Sequence, residues 1–406
     1  MIKKLCLIGI ILSGLLMVIP TTTAQQNNVR LAYIQNNVVT LADYQGTPLA
    51  APGPELQQWD SANLFWSPDG ETLYIATRNG LFATGAGGGA AVRLPGEFGL
   101  TVVIARHGGA LYNIDTDNPQ EITASTIGFP LRETNIANME GGRGRMVRII
   151  GEYATGSNNA NISHAAALYA RDDGLLEAGR PRLYATYGGS LFYSCCFPNV
   201  GLSVVELGTT DAYLYDGEFI TAAAAMNTTR SRLAAPTTTG AIRIYDLLTA
   251  GSRDYLIDVP GGVGAIERIG WALDENAIYF VSREPSPNPL ELLDGISYPA
   301  DTRSALMVLW RLDLVSGRTT ALLEIGDLYG ISSMAVTGEF VYLTLIERND
   351  ALIQALNDGT LAPDIQPNDP ALDAYIPRSV LVRIDRESGN LYQVGENIWG
   401  VRVRPY

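Results

Sequence analysis

Lysine is almost missing from this 406-residue chain: both copies, Lys3 and Lys4, stand at the N-terminal end, and 26 arginines carry the rest of the positive charge against 42 acidic residues. Beyond residue 4 there is therefore no ammonium for Schiff-base chemistry or for a P-loop. The net charge of −14 argues against a phosphate-neutralising surface, and so against nucleic acid as a partner. One local basic cluster, Arg143, Arg145 and Arg148, reads as a solvated strand edge. Histidine occurs twice, at His107 and His164. Neither stands in a ligand spacing such as HExxH, and both read as turn or strand-start residues. No GxSxG elbow is present.

Long hydrophobic runs are also scarce, although 47% of the residues are hydrophobic. The one long run, Leu5 to Ile19, spans 15 residues, follows Lys3 and Lys4, and precedes the small residues Thr22, Thr23 and Ala24. This is the pattern of a bacterial-type secretory leader over residues 1–24, with cleavage after Ala24. It falls short of the roughly 20 residues that a membrane span needs. Cys6 precedes the apolar run instead of standing at its cleavage end, which argues against a lipid anchor. The expectation is a secreted protein, residues 25–406, with no membrane span after leader removal.

No extended 3.6-residue apolar period follows. Short runs of Val, Ile, Leu, Tyr and Thr alternate instead with Gly, Asp, Asn and Pro, which is an all-β pattern. The clearest unit is Phe65-Trp66-Ser67-Pro68-Asp69-Gly70 followed by Leu73-Tyr74-Ile75, a tight antiparallel connection. Degenerate copies run from Trp271 to Val281 and from Met334 to Leu343. A second half-unit, a strand ending near Asp and then a Gly turn, is plainest at Leu309–Arg318 and Leu381–Asn390. Weaker copies begin near Val38, Leu81, Leu111, Leu168, Leu202 and Ile242. This arrangement resembles the TolB-like and WD40-like propeller families, in which a Ser-Pro-Asp-Gly turn joins the first two strands of a blade and an Asp-x-x-x-Gly turn the last two. The resemblance implies an all-β propeller of four-stranded blades. The eight half-units suggest seven or eight blades. The segment Asn397 to Tyr406 reads as a first strand without followers and Val29 to Leu41 as later strands without a first, so pairing of the two is expected to close the ring.

Three stretches exceed the length of blade turns: 125–143, 284–303 and 348–378. The last carries Asp350, Asp358, Asp364, Asp369 and Asp373. If these stretches share a face, they wall a pocket over the channel. The densest carboxylate clusters are Asp115 with Asp117 and Asp172 with Asp173, which are calcium candidates through hard oxygen ligands and equally ordinary turn residues. Cys195 and Cys196 are the cysteines left after the leader. They read either as two small apolar thiols on opposite faces of a strand or as a vicinal disulfide, which is strained because neighbouring Cα atoms are about 3.8 Å apart. Twenty tyrosines beside the arginines suit a contact surface, and strand propensity accounts for them as well.

Two functional readings follow. The preferred one is a monomeric, non-catalytic binding propeller that takes a protein or a polymer such as a glycan on its loop-bearing face, with no cofactor and with calcium as the one candidate ion. The alternative is a carboxylate-based hydrolase, acting on glycosides or lactones, with a metal or substrate site at the central channel.

Overall fold

The computed structural model describes residues 28–56, 62–98, most of 102–154, the strands within 168–220, most of 223–283 and most of 307–405. The expected leader, residues 1–24, lies outside them. Strands β1 (Leu31–Gln35), β2 (Val38–Ala42) and β3 (Pro48–Ala50) come first. A sheet of β4 (Ala62–Trp66), β5 (Thr72–Thr77), β6 (Gly80–Gly85) and β7 (Val92–Arg93) follows. Next are β8 (Val102–Ile104), β9 (Ala110–Ile114), β10 (Gln120–Thr123), β11 (Thr126–Asn135) and β12 (Arg145–Ala154), which share one sheet. The sheet after that holds β13 (Leu168–Arg171), β14 (Arg182–Thr186), β15 (Val200–Glu206) and β16 (Ala212–Ile220). Three more are built from β17 (Ala225–Met226), β18 (Arg232–Pro236), β19 (Ala241–Asp246) and β20 (Gly251–Leu256); from β21 (Ile266–Trp271), β22 (Ala277–Arg283), β23 (Met307–Asp313) and β24 (Thr319–Ile325); and from β25 (Leu328–Val336), β26 (Phe340–Glu347), β27 (Ser379–Asp385) and β28 (Leu391–Glu396). The last strand, β29 (Ile398–Val403), adds to β1 in the order β29-β1-β2-β3.

Among the described residues the protein is an all-β propeller with six blades of four antiparallel strands, and the expected count of seven or eight such blades in a closed ring is corrected accordingly. Six of the eight half-units, at Val38, Leu81, Leu202, Ile242, Leu309 and Leu381, fall on the third strand of a four-stranded sheet. Leu168 begins the first strand of the blade that Leu202 already marks, so that blade was counted twice. Leu111 lies on β9 in the sheet of β8–β12, where β12 adds a fifth strand along β11. The stretch 125–143, expected as a connection, is largely strand β11 and a 3-10 turn over Ile136–Asn138. Pro130 sits where β11 passes from pairing with β10 to pairing with β9, a break in the ladder that tolerates proline.

Burial explains why these strands read as continuous apolar runs. β5, β22 and β26 are buried along nearly their whole length, whereas the fourth strands β7, β20 and β28 are mostly exposed. The apolar clusters lie between sheets. One joins Tyr279, Val281 and Leu309 to Ile331, Val341 and Leu343; another joins Ile242 and Ile244 to Ile269, Trp271 and Phe280; a third joins Ile34 and Val39 to Leu64, Trp66 and Ile75. Each fully buried side chain of this kind contributes about 1.5–3 kcal/mol, so most of the stabilisation resides between neighbouring blades.

A tyrosine recurs at the third residue of the second strand: Tyr33 in β1, Tyr74 in β5, Tyr112 in β9, Tyr184 in β14, Tyr279 in β22 and Tyr342 in β26. Tyr33, Tyr279 and Tyr342 are at most 1% exposed. A buried phenol needs a polar partner at its tip. Tyr33 donates to the carbonyl of Gly46 at 3.0 Å, Tyr342 donates to the carbonyl of Tyr44 in the adjacent blade, and the Tyr279 oxygen accepts from Arg386 Nε at 2.6 Å.

The turns use their side chains as the motif requires. Ser67 Oγ donates to Asp69 Oδ1 at 2.5 Å and accepts from the Thr72 amide at 2.9 Å. Asp313 and Asp385 each accept two amides and a serine hydroxyl within the following three residues, and these bonds hold both carboxyls below the usual range. Gly70 has φ +70°, and a Cβ there would lie 2.4 Å from the carbonyl oxygen of Pro405. The chain's C-terminal segment is thus seated on the first complete turn. Arg404, 8% exposed, fixes it: Nε donates to the Gly70 carbonyl at 2.7 Å, Nη1 to that of Val29 at 3.4 Å, and Nη2 meets Glu71 at 3.1 Å. Beside this clamp, β29 pairs with β1 from Leu31 opposite Val403 to Gln35 opposite Ile398.

Two outcomes are expected from this packing. Arg404→Ala should lower the unfolding free energy by about 2 kcal/mol, since its bonds are charge-assisted and shielded; a urea midpoint equal to that of the wild type would show that the clamp is idle. Burial, reinforced by Asp43, pushes the Tyr33 phenol from 10.0 up to about 12. In the unfolded chain the phenol ionises first, so stability present below pH 10 is lost as pH rises toward 12. Tyr33→Phe should make thermal stability fall less steeply over that window, and an unchanged slope would contradict the assignment.

Candidate functional site

The first strands of five sheets, β4, β17, β21, β25 and β29, contact one another in series. They are crowded: a Cβ on Gly270 of β21 would stand 2.8 Å from Val336 Cγ2 of β25. Ser333 ties three strands together, donating to Thr344 Oγ1 at 2.8 Å and accepting the Val401 amide at 2.9 Å.

The C-terminal ends of these strands meet around a cavity of about 320 Å³, lined by apolar side chains such as Trp66, Trp271 and Met334. The C-terminal segment supplies Arg402, Val403 and Pro405 to the same lining. Arg402 Nε donates to the Leu64 carbonyl at 3.0 Å, and the Trp271 indole donates to the Ala225 carbonyl at 2.8 Å. Polar groups at this mouth thus hold the blades together.

At the opposite end of β29 lies a larger cavity of about 910 Å³, the wide mouth, beside the β29-β1-β2-β3 sheet. Several pieces of chain build it, with Leu56, Ala62 and Ser332 completing the lining. The β1–β2 turn brings Asn36 and Asn37, both at positive φ (48° and 64°), a conformation asparagine tolerates and tight hairpins require. The β28–β29 corner brings Glu396 and Asn397, with Asn397 at φ 54°. Trp399 and Gly400 come from β29, and Ile376 to Arg378 from the end of the 348–378 stretch. Backbone bonds lock these pieces: the Asn36 amide donates to the Asn397 carbonyl at 3.1 Å, and the Asn397 amide to the Ser379 carbonyl at 2.7 Å.

The stretch 348–378 has a compact form of its own. Helix α1 (Asp350–Asn357) and a 3-10 turn (Pro370–Tyr375) enclose Ala355, Leu356 and Leu361 against Leu352, Ile365, Leu372 and Tyr375. Two of its aspartates act locally. Asp358 accepts the Thr360 hydroxyl at 2.6 Å and amide at 3.0 Å, and Asp369 caps the 3-10 turn through the Ala371 amide at 2.9 Å. At the cavity, Arg378 is shared by two carboxylates, Glu347 at 3.0 Å and Glu396 in a short contact. The bond from Arg378, helped by Gln393, holds the Glu396 carboxyl below its usual range, while the same pairing raises Arg378.

Several sequence candidates fall elsewhere. Asp115, Asp117, Asp172, Asp173, His107, His164, Cys195, Cys196 and the stretch 284–303 lie outside the described residues. Of the arginine cluster, Arg145 pairs across the β11–β12 ladder with Glu133, whose contact raises its pKa. Among the described residues no three His, Cys, Asp or Glu side chains converge as metal ligands. The sequence had marked Trp399 as a strand residue and Arg378 as the end of a long connection. It gave no sign that Asn36, Asn37, Glu396 and Asn397 belong to one cavity, and the Asn-Asn pair between two apolar runs was the available hairpin signal.

No protein-family model matches the chain, and no curated protein matches it in sequence. Among solved structures it is similar to a eukaryotic initiation factor, with 10% identity and a TM-score of 0.40 over 93% of this chain and 98% of that one. It is similar to the tricorn protease at 11% identity and a TM-score of 0.43, over 91% of this chain and 34% of that one. It is also similar to the β-propeller domain of Myceliophteria thermophila Cps50 (Swd1), at 12% identity and a TM-score of 0.39 over 84% and 89%. Likeness at this level concerns the fold alone and brings no function with it.

Arg378→Ala should return the Glu396 carboxyl upward to the ordinary glutamate range, measured by carbon NMR of the labelled side chain through a pH titration. A Glu396 that stays depressed would show that Arg378 does not hold it.

Proposed function

We propose that this protein is a secreted, non-catalytic binding propeller that takes a protein or polymer partner at the mouth framed by the 348–378 stretch. The observation that carries the reading is the cavity of about 910 Å³ there, which lies within the range of ligand pockets, about 300–1,000 Å³, and is built from a rigid hairpin, a strand corner and a long insertion. Loops held on a stiff β scaffold are where propellers and other repeat folds place their recognition surfaces.

The electrostatics favour holding a ligand over turning it over. Carboxylate hydrolysis needs one carboxyl kept protonated to act as general acid and a second facing it. Glu396, the carboxylate among the lining residues, is shifted in the opposite direction by Arg378. Secretion rests on the leader pattern at residues 1–24, and the acidic surface supports partners other than nucleic acid.

Thermal unfolding of residues 25–406 against panels of polysaccharide fragments, peptides and lactones, with product analysis of every ligand that binds, tests the reading. A binding ligand at 100 times its Kd should add about 2.7 kcal/mol of stability and be recovered intact. Cleavage of the bound ligand would overturn the non-catalytic assignment.

A further inference from the structure

The wide mouth carries chemistry that the framework of the propeller does not use. The side-chain carboxamides of Asn36, Asn37 and Asn397 make no hydrogen bond among the described residues, although backbone bonds and positive φ fix the turns that present them. Ser332 lines the same cavity, and its Oγ is buried without a hydrogen-bond partner. Trp399 packs against the Ile34, Leu56 and Leu64 cluster, lines the cavity too, and gives its indole N–H to no described residue. Arg378, the cation among the lining residues, is already claimed by Glu347 and Glu396, so the three together carry one net negative charge.

Resting on the binding reading above, we infer that this cavity binds a neutral oligosaccharide, with a sugar ring laid against Trp399 and its hydroxyls bonded to Asn36, Asn37 and Asn397. Each carboxamide offers donor and acceptor in one plane, which suits hydroxyls that both give and accept. The ring's C–H face complements the negative face of an indole. A uronate or phosphate would meet a guanidinium already neutralised on two sides, beside an uncompensated carboxylate. A greasy peptide would leave the three carboxamides and the Ser332 hydroxyl without partners, a cost for each group it buried. The cavity, at about 910 Å³, has room for more than one ring.

The test is calorimetry on residues 25–406 with neutral glucan, xylan and mannan oligosaccharides, a uronate-containing oligosaccharide and a basic peptide. At least one neutral oligosaccharide should bind, and Trp399→Ala should weaken it by about tenfold or more. Because Trp399 also packs on the core, a second variant, Asn36→Gly with Asn37→Gly, keeps the left-handed turn while deleting two carboxamides. It should weaken binding by about tenfold with an unchanged melting temperature. Failure of every neutral oligosaccharide to bind overturns the inference. Binding of the uronate sugar or the peptide alone, lost in the same variants, overturns the sugar class and leaves the binding reading standing. Neutral sugar binding that survives both variants overturns this site, and cleavage of the bound sugar overturns the non-catalytic reading while leaving the sugar class intact.

Discussion

Apolar packing between consecutive sheets is the constraint on which this structure depends. Among the described residues, the clusters joining β22 to β26, β19 to β21 and β1 to β4 all lie between blades. A sheet buried on both faces cannot alternate apolar and polar residues, and β5, β22 and β26 do not. An unpaired end would leave one such face in water. The structure meets that cost by seating β29 beside β1 and by inserting Arg404 between the Gly70 turn and Val29.

Arginine in place of lysine makes sense in this frame. Arg402, Arg404 and Arg386 each reach distant backbone carbonyls, those of Leu64 in β4, of Gly70 in its turn and of Thr337 after β25, and Arg386 also lies over the Tyr279 ring at 5.1 Å. A planar fork with five donors can serve several carbonyls and stack on a ring at once, which a lysine ammonium cannot. The repeated tyrosine does the complementary work from inside the blade. Its ring is buried, and its hydroxyl donates to the carbonyls of Gly46 and Tyr44 in the β2–β3 connection at Tyr33 and Tyr342 and accepts from the Arg386 guanidinium at Tyr279. Packing and turn geometry are coupled in this way at Tyr33, Tyr279 and Tyr342, whereas β18 carries Ala234 at the same position.

This coupling also marks how far the sequence could be read. The Ser67–Gly70 turn and the Asp-x-x-x-Gly turns at Asp313 and Asp385 are local, closed by bonds within five residues, and so they are visible as motifs. The blade count is not local. Leu168 and Leu202 begin equally apolar runs, and a strand buried on both faces carries no phase to say whether it is first or third. The tyrosine position, shared by Tyr33, Tyr74, Tyr279 and Tyr342, is the signal that fixes that phase, because it marks second strands alone. At the wide mouth the difficulty is distance along the chain. Asn36 and Asn397 meet because β29 and β1 share a sheet, and Glu347, Arg378 and Glu396 meet because β26, β27 and β28 do. No spacing rule connects them.

The two cavities, at opposite ends of β29, therefore differ in what they are free to do. At the narrow one, polar side chains close the structure: Arg402 and Arg404 bond to backbone carbonyls, Trp271 to the Ala225 carbonyl, and Pro405 lies against the Gly70 turn. A ligand that displaced any of these would work against the contacts that keep the chain ends together. At the wide one, backbone bonds between Asn36, Asn397 and Ser379 fix the turns, while Arg378 bridges Glu347 and Glu396 and Trp399 packs on the core, so the carboxamides of the three asparagines are the side chains released from structural duty. Asparagine fits both needs, tolerating the left-handed turn while presenting a carboxamide outward. Rigid backbone with uncommitted side chains is the condition for a preorganised site, since little ordering entropy is lost when a ligand arrives. That condition is met at one end of this propeller, and the insertion of 348–378 is placed at that same end.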